Sequence, residues 1–194
     1  MIELAVIGAS WGGLQALTTV LPSLVREDLR ASVVIAQHRS PDSPEGVLPQ
    51  LLGYSSTVPV REAGDKEPID PATIYVAPPD YHLLIEERHF ALATDARLQF
   101  ARPSIDVLFE TAAEAYGDRA LGVILTGANA DGAAGLRSIR EHGGLTVVQD
   151  PTSAEKSAMP AAALAATAVD AVLPLEEIGP FLVRHCCEER ARVR

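Results

Sequence analysis

Cysteine is almost missing from this chain: Cys186 and Cys187 are the only two, and they are neighbours near its end. Adjacent cysteines make poor structural staples, and no metal-ligand spacing is present. The pattern therefore points to a reducing compartment and to no metal site. Basic residues are also scarce, with 16 Lys and Arg against 26 Asp and Glu and a formal net charge of -10. Phosphate contacts need clustered cations, so the balance argues against nucleic acid as a partner. The densest basic run, Arg184 to Arg194, is interleaved with Glu. The N-terminus has no basic n-region, and its apolar run is too short for a signal peptide or a membrane span. These absences predict a cytoplasmic protein with no direct membrane insertion. Internal repeats, linkers and low-complexity tracts are missing too, and 194 residues suit one domain spanning 1–194.

What is present is an alternation of strand and helix patterns, the mark of a parallel α/β domain. Apolar runs at Leu4 to Gly8, Ser32 to Gln37, Leu121 to Leu125 and Leu145 to Gln149 suit strands buried on both faces. A shorter strand is expected at Ala171 to Leu173. Helices are expected from Gly12 to near Pro22, over Val47 to Leu52, over Ile105 to Tyr116 with Ser104 as cap, from Gly132, and over Glu176 to Cys186. The Ala-rich stretch from Ala161 to Val172, broken by Pro160 and Asp170, reads as a packed helix. Between Val58 and Leu98 helical periods vanish. Strand-like pieces at Thr73 to Ala77, His82 to Ile85 and Phe90 to Ala93 suggest a β-hairpin excursion. The expected fold is a three-layer, doubly wound, mostly parallel sheet with that hairpin in the middle of the chain.

Three of the apolar strands run into a loop that carries one reactive side chain: Ser10, His38 and Asp131. Open α/β sheets gather functional groups at the carboxyl ends of their strands. A serine, a histidine and an aspartate delivered to one sheet edge are the parts of a nucleophilic hydrolase. Gly8-Ala9-Ser10-Trp11-Gly12 fits G-x-S-x-G between strand and helix, the setting of a nucleophile elbow. The plainer reading is a glycine-rich phosphate loop with Ser10 as N-cap. Position 10 lacks the second glycine of a dinucleotide loop, however, and no G-K-[ST] is present. His82, after Pro78-Pro79-Asp80-Tyr81, rivals His38 as base. Asp131 could be either an N-cap or a carboxylate that orients the histidine, and sequence leaves that open.

Together these segments resemble the catalytic domain of the chemotaxis protein-glutamate methylesterase (CheB) family. The matching features run in order: Gly8-Ala9-Ser10 with Gly12-Gly13, Gln37-His38, Val76-Ala77-Pro78-Pro79-Asp80, and Arg102-Pro103-Ser104-Ile105-Asp106. They continue with Leu125-Thr126-Gly127, Asp131-Gly132-Ala133, Gln149-Asp150-Pro151 and Met159-Pro160. The resemblance implies that Ser10, His38 and Asp131 form a triad that hydrolyses glutamate γ-methyl esters on a methyl-accepting chemoreceptor or similar protein. It also implies deamidation of glutamine and requires no cofactor. Main-chain N–H groups of Trp11 and of Ala128, in the 127–129 loop, are expected to stabilise the oxyanion. Arg39 and, second, Arg102 are the candidates for a basic rim that meets an acidic substrate. The plainer reading is that both are structural, Arg102 pairing with a nearby carboxylate.

Three features depart from the family pattern. Trp11 stands where a small residue is usual, and Ala128-Asn129 replace Met-Gly. Many members carry an N-terminal receiver domain, whereas this sequence begins at the first strand of the catalytic domain, as either a standalone protein or an excised fragment would. A receiver domain in trans is a candidate partner. The alternatives are a catalytically silent binding module of the same fold and a nucleotide-binding domain.

Overall fold

A computed structural model describes residues 1–187, and the part of the Arg184 to Arg194 run beyond Cys187 lies outside the described residues. The strands are β1 (Leu4–Ala9), β2 (Ser32–Gln37), β3 (Val60–Glu62), β4 (Ile74–Val76), β5 (His82–Glu86), β6 (His89–Ala93), β7 (Ala120–Ile124), β8 (Leu145–Gln149) and β9 (Ala171–Leu173). The helices are α1 (Gly13–Val20), α2 (Val47–Gly53), α3 (Ile105–Tyr116), α4 (Ala133–Glu141), α5 (Ala158–Ala166) and α6 (Leu175–Cys186). Seven strands form one sheet in the order β3-β4-β2-β1-β7-β8-β9. Every pairing in it is parallel.

Alternation explains why the central strands read as unbroken apolar runs. Ala5, Ile7 and Ala9 of β1 face a layer built from α1, α2 and α6, where Leu17, Leu52 and Leu182 are fully buried. Leu4 and Val6 face the opposite layer, with Leu108, Phe109, Ile139 and Met159 from α3, α4 and α5. Both faces are covered, so the polar alternation of a half-exposed strand disappears. Antiparallel β5 and β6 form the expected hairpin and sit on the α3 side, where Leu83, Ile85 and Phe90 join that core.

Two expectations need correction. The sequence pattern does not predict β3, a three-residue edge strand, Val-Arg-Glu, too short and too exposed to show a period. The Ala-rich helix starts at Ala158 and stops at Ala166, rather than spanning Ala161 to Val172. Pro160 lies in its first turn, where a missing N–H costs nothing. Asp170 caps the strand region instead, accepting from the Thr146 N–H at 2.9 Å. Cys186 is buried, which pushes its thiol up to about 12, so it packs as a small hydrophobe.

β1 occupies the turning point of the sheet, with β2 on one side and β7 on the other. Register then decides what lies above it. Ala9 pairs with Gln37, so the next residues, Ser10 and His38, leave their strands side by side. The Ser10 N–H donates to the Thr126 carbonyl, which fastens the end of β1 to the chain leaving β7.

Candidate active site

Ser10, His38 and Asp131 meet in one hydrogen-bonded chain. Ser10 Oγ lies 3.2 Å from His38 Nδ1, and His38 Nε2 lies 2.8 Å from Asp131 Oδ2. The ring is used in the reverse sense from the common arrangement, in which Nε2 faces the serine. Ser10 is not an N-cap: the cap of α1 is Gly12, whose φ of 79° favours glycine. Gln37, legible in the sequence only as part of a motif, holds the pair together. Its Nε2 donates to the Ser10 carbonyl at 2.8 Å and to the His38 carbonyl at 2.9 Å.

Asp131 settles the cap question in an unexpected way. The cap of its own helix, α4, is Gly132. Asp131 instead accepts from the first turn of α3: the Ile105 N–H at 2.8 Å, the Asp106 N–H at 2.9 Å and the Ser104 hydroxyl at 2.9 Å. Its side chain is fully buried. Burial alone would raise its pKa, but the His38 hydrogen bond and the Asp106 and Ile105 N–H groups outweigh that and hold the carboxyl below its ordinary range. A charged carboxylate makes Nε2 the protonated nitrogen of His38, leaving the Nδ1 lone pair towards Ser10.

Asp106 returns the favour. Its Oδ1 accepts from the Gly135 N–H of α4 at 2.8 Å, and its Oδ2 accepts from Gln99. Burial and the nearby Asp131 charge push the Asp106 carboxyl up to about 6. This residue was visible in the sequence only as part of the 102–106 motif.

His82, the rival base, is buried, with Nδ1 accepting from the Ser104 N–H and Nε2 against the Ala96 carbonyl. Both ring nitrogens are engaged away from Ser10. The Trp11 indole is drawn aside: Nε1 donates to Glu155 Oε1 at 2.7 Å, and Lys156 Nζ lies 5.8 Å from the ring centre. In the 127–129 loop the Gly127 N–H donates to the Lys156 carbonyl. Among the described residues the Trp11 and Ala128 N–H groups have no protein acceptor. Asn129 does not adopt the left-handed conformation that a glycine replacement could have required. Its amide turns towards His38 instead.

A cavity of about 230 Å³ opens beside His38, walled in part by Arg39, Arg97, Gln99, Arg102 and Asn129. Arg39 and Arg102 are there but not free. Arg39 pairs with Glu62 at 2.6 Å and Arg102 with Asp80 at 2.8 Å, their side chains 9% and 16% exposed. Among the described residues no group of three or more His, Cys, Asp or Glu is arranged to hold a metal ion, and no helix is long and apolar enough to cross a membrane.

A serine, a histidine and a buried carboxylate in line above the central strands of a parallel sheet have the arrangement of a serine hydrolase. The model of the CheB methylesterase family matches residues 5–182. The chain belongs to that family. It is 49% identical over 183 residues to a putative protein-glutamate methylesterase/protein-glutamine glutaminase of Leptospira interrogans, covering 94% of each chain. It is 37% identical to protein-glutamate methylesterase/protein-glutamine glutaminase 1 of Rhodospirillum rubrum, of which it spans 48%. The crystal structure of the Thermotoga maritima CheB methylesterase catalytic domain superposes with a TM-score of 0.88 at 30% identity, covering 95% of this chain and 98% of that one.

Proposed function

We propose that residues 1–194 act as a catalytic domain that hydrolyses glutamate γ-methyl esters on a chemoreceptor-type protein and deamidates glutamine side chains by the same acyl transfer. The observation that carries this reading is the continuous chain from Ser10 Oγ through His38 to the buried Asp131. The names of the relatives, which pair methylesterase with glutaminase, support both substrates.

Ser10 Oγ attacks the side-chain carbonyl while its proton passes to His38 Nδ1. That proton then goes to the leaving group, and methanol or ammonia departs. Water enters, gives a proton to Nδ1 and cleaves the acyl-serine, and the proton returns to Oγ. Asp131 holds the imidazole in the required tautomer and stabilises its cation. The unengaged N–H groups of Trp11 and Ala128 are assigned to the oxyanion. No cofactor takes part in these steps. Arg39 and Arg102 form the positive wall that meets an acidic substrate. The setting is cytoplasmic, and a receiver domain in trans would supply regulation.

A fluorophosphonate probe tests the nucleophile directly. Wild-type protein should be labelled at Ser10, and Ser10→Ala should lose both the label and roughly three or more orders of magnitude of ester hydrolysis. Absence of labelling in the wild type would favour the catalytically silent binding module.

A further inference from the structure

Asn129 stands where the family pattern commonly has glycine, so its side chain is a feature of this chain's own site. The Asp131 N–H donates to Asn129 Oδ1 at 3.3 Å. That bond orients the amide, because only oxygen can accept there. The opposite end, Nδ2, therefore faces His38 and lies 3.5 Å from Nδ1. Ser10 Oγ faces the same nitrogen at 3.2 Å. With Nε2 committed to Asp131, two donors converge on one lone pair.

A contact of 3.5 Å is too long for a strong hydrogen bond, and its meaning is positional. After Ser10 attacks, Nδ1 carries the proton and must deliver it to the leaving atom. Asn129 Nδ2, 3.5 Å from Nδ1, is close enough to reach an atom that takes its proton from Nδ1.

We propose that Asn129 is a specificity-determining residue that selects the leaving group, favouring a methyl ester over a primary amide. The proposal rests on the acyl-transfer reading of Ser10 and His38. In the ester intermediate the leaving oxygen has two lone pairs. One takes the proton from Nδ1 as the carbon–oxygen bond breaks and methanol forms. The other accepts the Asn129 N–H, which stabilises the charge on that oxygen. In the amide intermediate the leaving nitrogen has one lone pair, and it must take the Nδ1 proton before ammonia can depart. The two hydrogens already on that nitrogen meet another donor in Asn129. Two donors facing each other leave a polar group unpaired, which is how a site built to hydrogen-bond one atom rejects its analogue.

The test uses two helical peptides that differ only in carrying a glutamate γ-methyl ester or a glutamine, with methanol and ammonia release measured separately. Asn129→Gly should lower the ester-to-amide ratio of kcat/KM about tenfold, the scale of one neutral hydrogen bond. Asn129→Asp keeps the acceptor for the Asp131 N–H but loses the donor, so the ratio should fall by a similar factor. Equal losses on both peptides, or a wild-type ratio in Asn129→Asp, would mean that Asn129 only shapes the loop. Either result overturns the proposal while Ser10 labelling keeps the acyl-transfer reading intact. A wild-type protein that is neither labelled nor active on either peptide would overturn both.

Discussion

Asp131 and Asp106 cap each other's helices. Asp131, just before α4, accepts the Ile105 and Asp106 N–H groups that open α3, and Asp106, in the first turn of α3, accepts the Gly135 N–H of α4. Two helix N-termini with their partial positive charge thus converge on two carboxylates. The environments push the acids apart, Asp131 down and Asp106 up, so one stays charged beside His38 while its neighbour titrates far more readily.

Asp131→Asn should separate the two duties of that residue. Four donors point at the carboxylate: His38 Nε2–H, the Ser104 hydroxyl and the Ile105 and Asp106 N–H groups. An amide cannot accept from all of them. Turnover should fall by about 10⁴-fold through loss of the correct histidine tautomer. Stability should fall by about 1–3 kcal/mol from the donor left unpaired. A variant that loses stability but keeps turnover within tenfold would make Asp131 a helix cap only.

Asp106 predicts a slope in the pH dependence of stability. Its folded pKa of about 6 lies above the ordinary carboxylate range, so between the two the native state holds more protons than the unfolded chain. Stability should therefore fall as pH rises from about 4 to 6 and then level off. Asp131 acts in a separate window: its folded pKa is depressed, and its contribution is lost only below the ordinary range, as pH falls. Denaturant unfolding of wild type and Asp106→Asn across pH 4 to 7 checks this. The substitution should flatten the slope above pH 4, and a persistent slope would assign it to another group.

The sheet and its reactive edge were legible because β1, β2 and β7 are buried on both faces and end at residues of distinct chemistry. Ser10 and His38 needed only strand ends, and the Ala9–Gln37 register then brought them together. The less legible features depend on contacts between distant segments. Nothing local in the run from Ser104 to Asp106 says that Asp106 reaches α4, and nothing near Asn129 says which way its amide turns. For Arg39 and Arg102 the sequence leaves a rim role and a structural ion pair equally open, because their partners, Glu62 and Asp80, lie more than twenty residues away. β3 escaped because three residues carry no period.

Gly127 should prove intolerant of any side chain. A Cβ there would overlap Met159 Sδ and lie 2.9 Å from Ser10 Cβ. Gly127→Ala should cost about 1–3 kcal/mol by overpacking and should displace the serine. Met159→Ala alone should cost about 2–5 kcal/mol by leaving a cavity. In the double variant the stability losses should fall short of their sum, since the alanine methyl enters that space. Turnover should stay low, because the contact with Ser10 remains. Simple additivity in thermal or denaturant unfolding would mean the loop relaxes away from Met159.

The wall beside His38 holds three guanidinium groups, Arg39, Arg97 and Arg102, against the two carboxylates of Glu62 and Asp80. The surplus positive charge is what an acidic receptor segment would meet on a chain of net charge -10. Arg39→Ala is a poor probe of this by itself, because it strands Glu62, which also accepts the Gly46 N–H. It should raise KM for a receptor fragment and also lower turnover of a small neutral ester. Arg97 is the cleaner probe: its side chain is 44% exposed, and Arg102 remains on Asp80 if it is removed. Arg97→Ala should raise KM for the receptor fragment about two- to fivefold, the scale of an exposed charge contact. Turnover of the neutral ester should not change, and the difference should shrink as salt rises. If KM for the fragment stays put at low ionic strength, the wall serves only to shape the catalytic loop, and an acidic substrate must be recognised elsewhere.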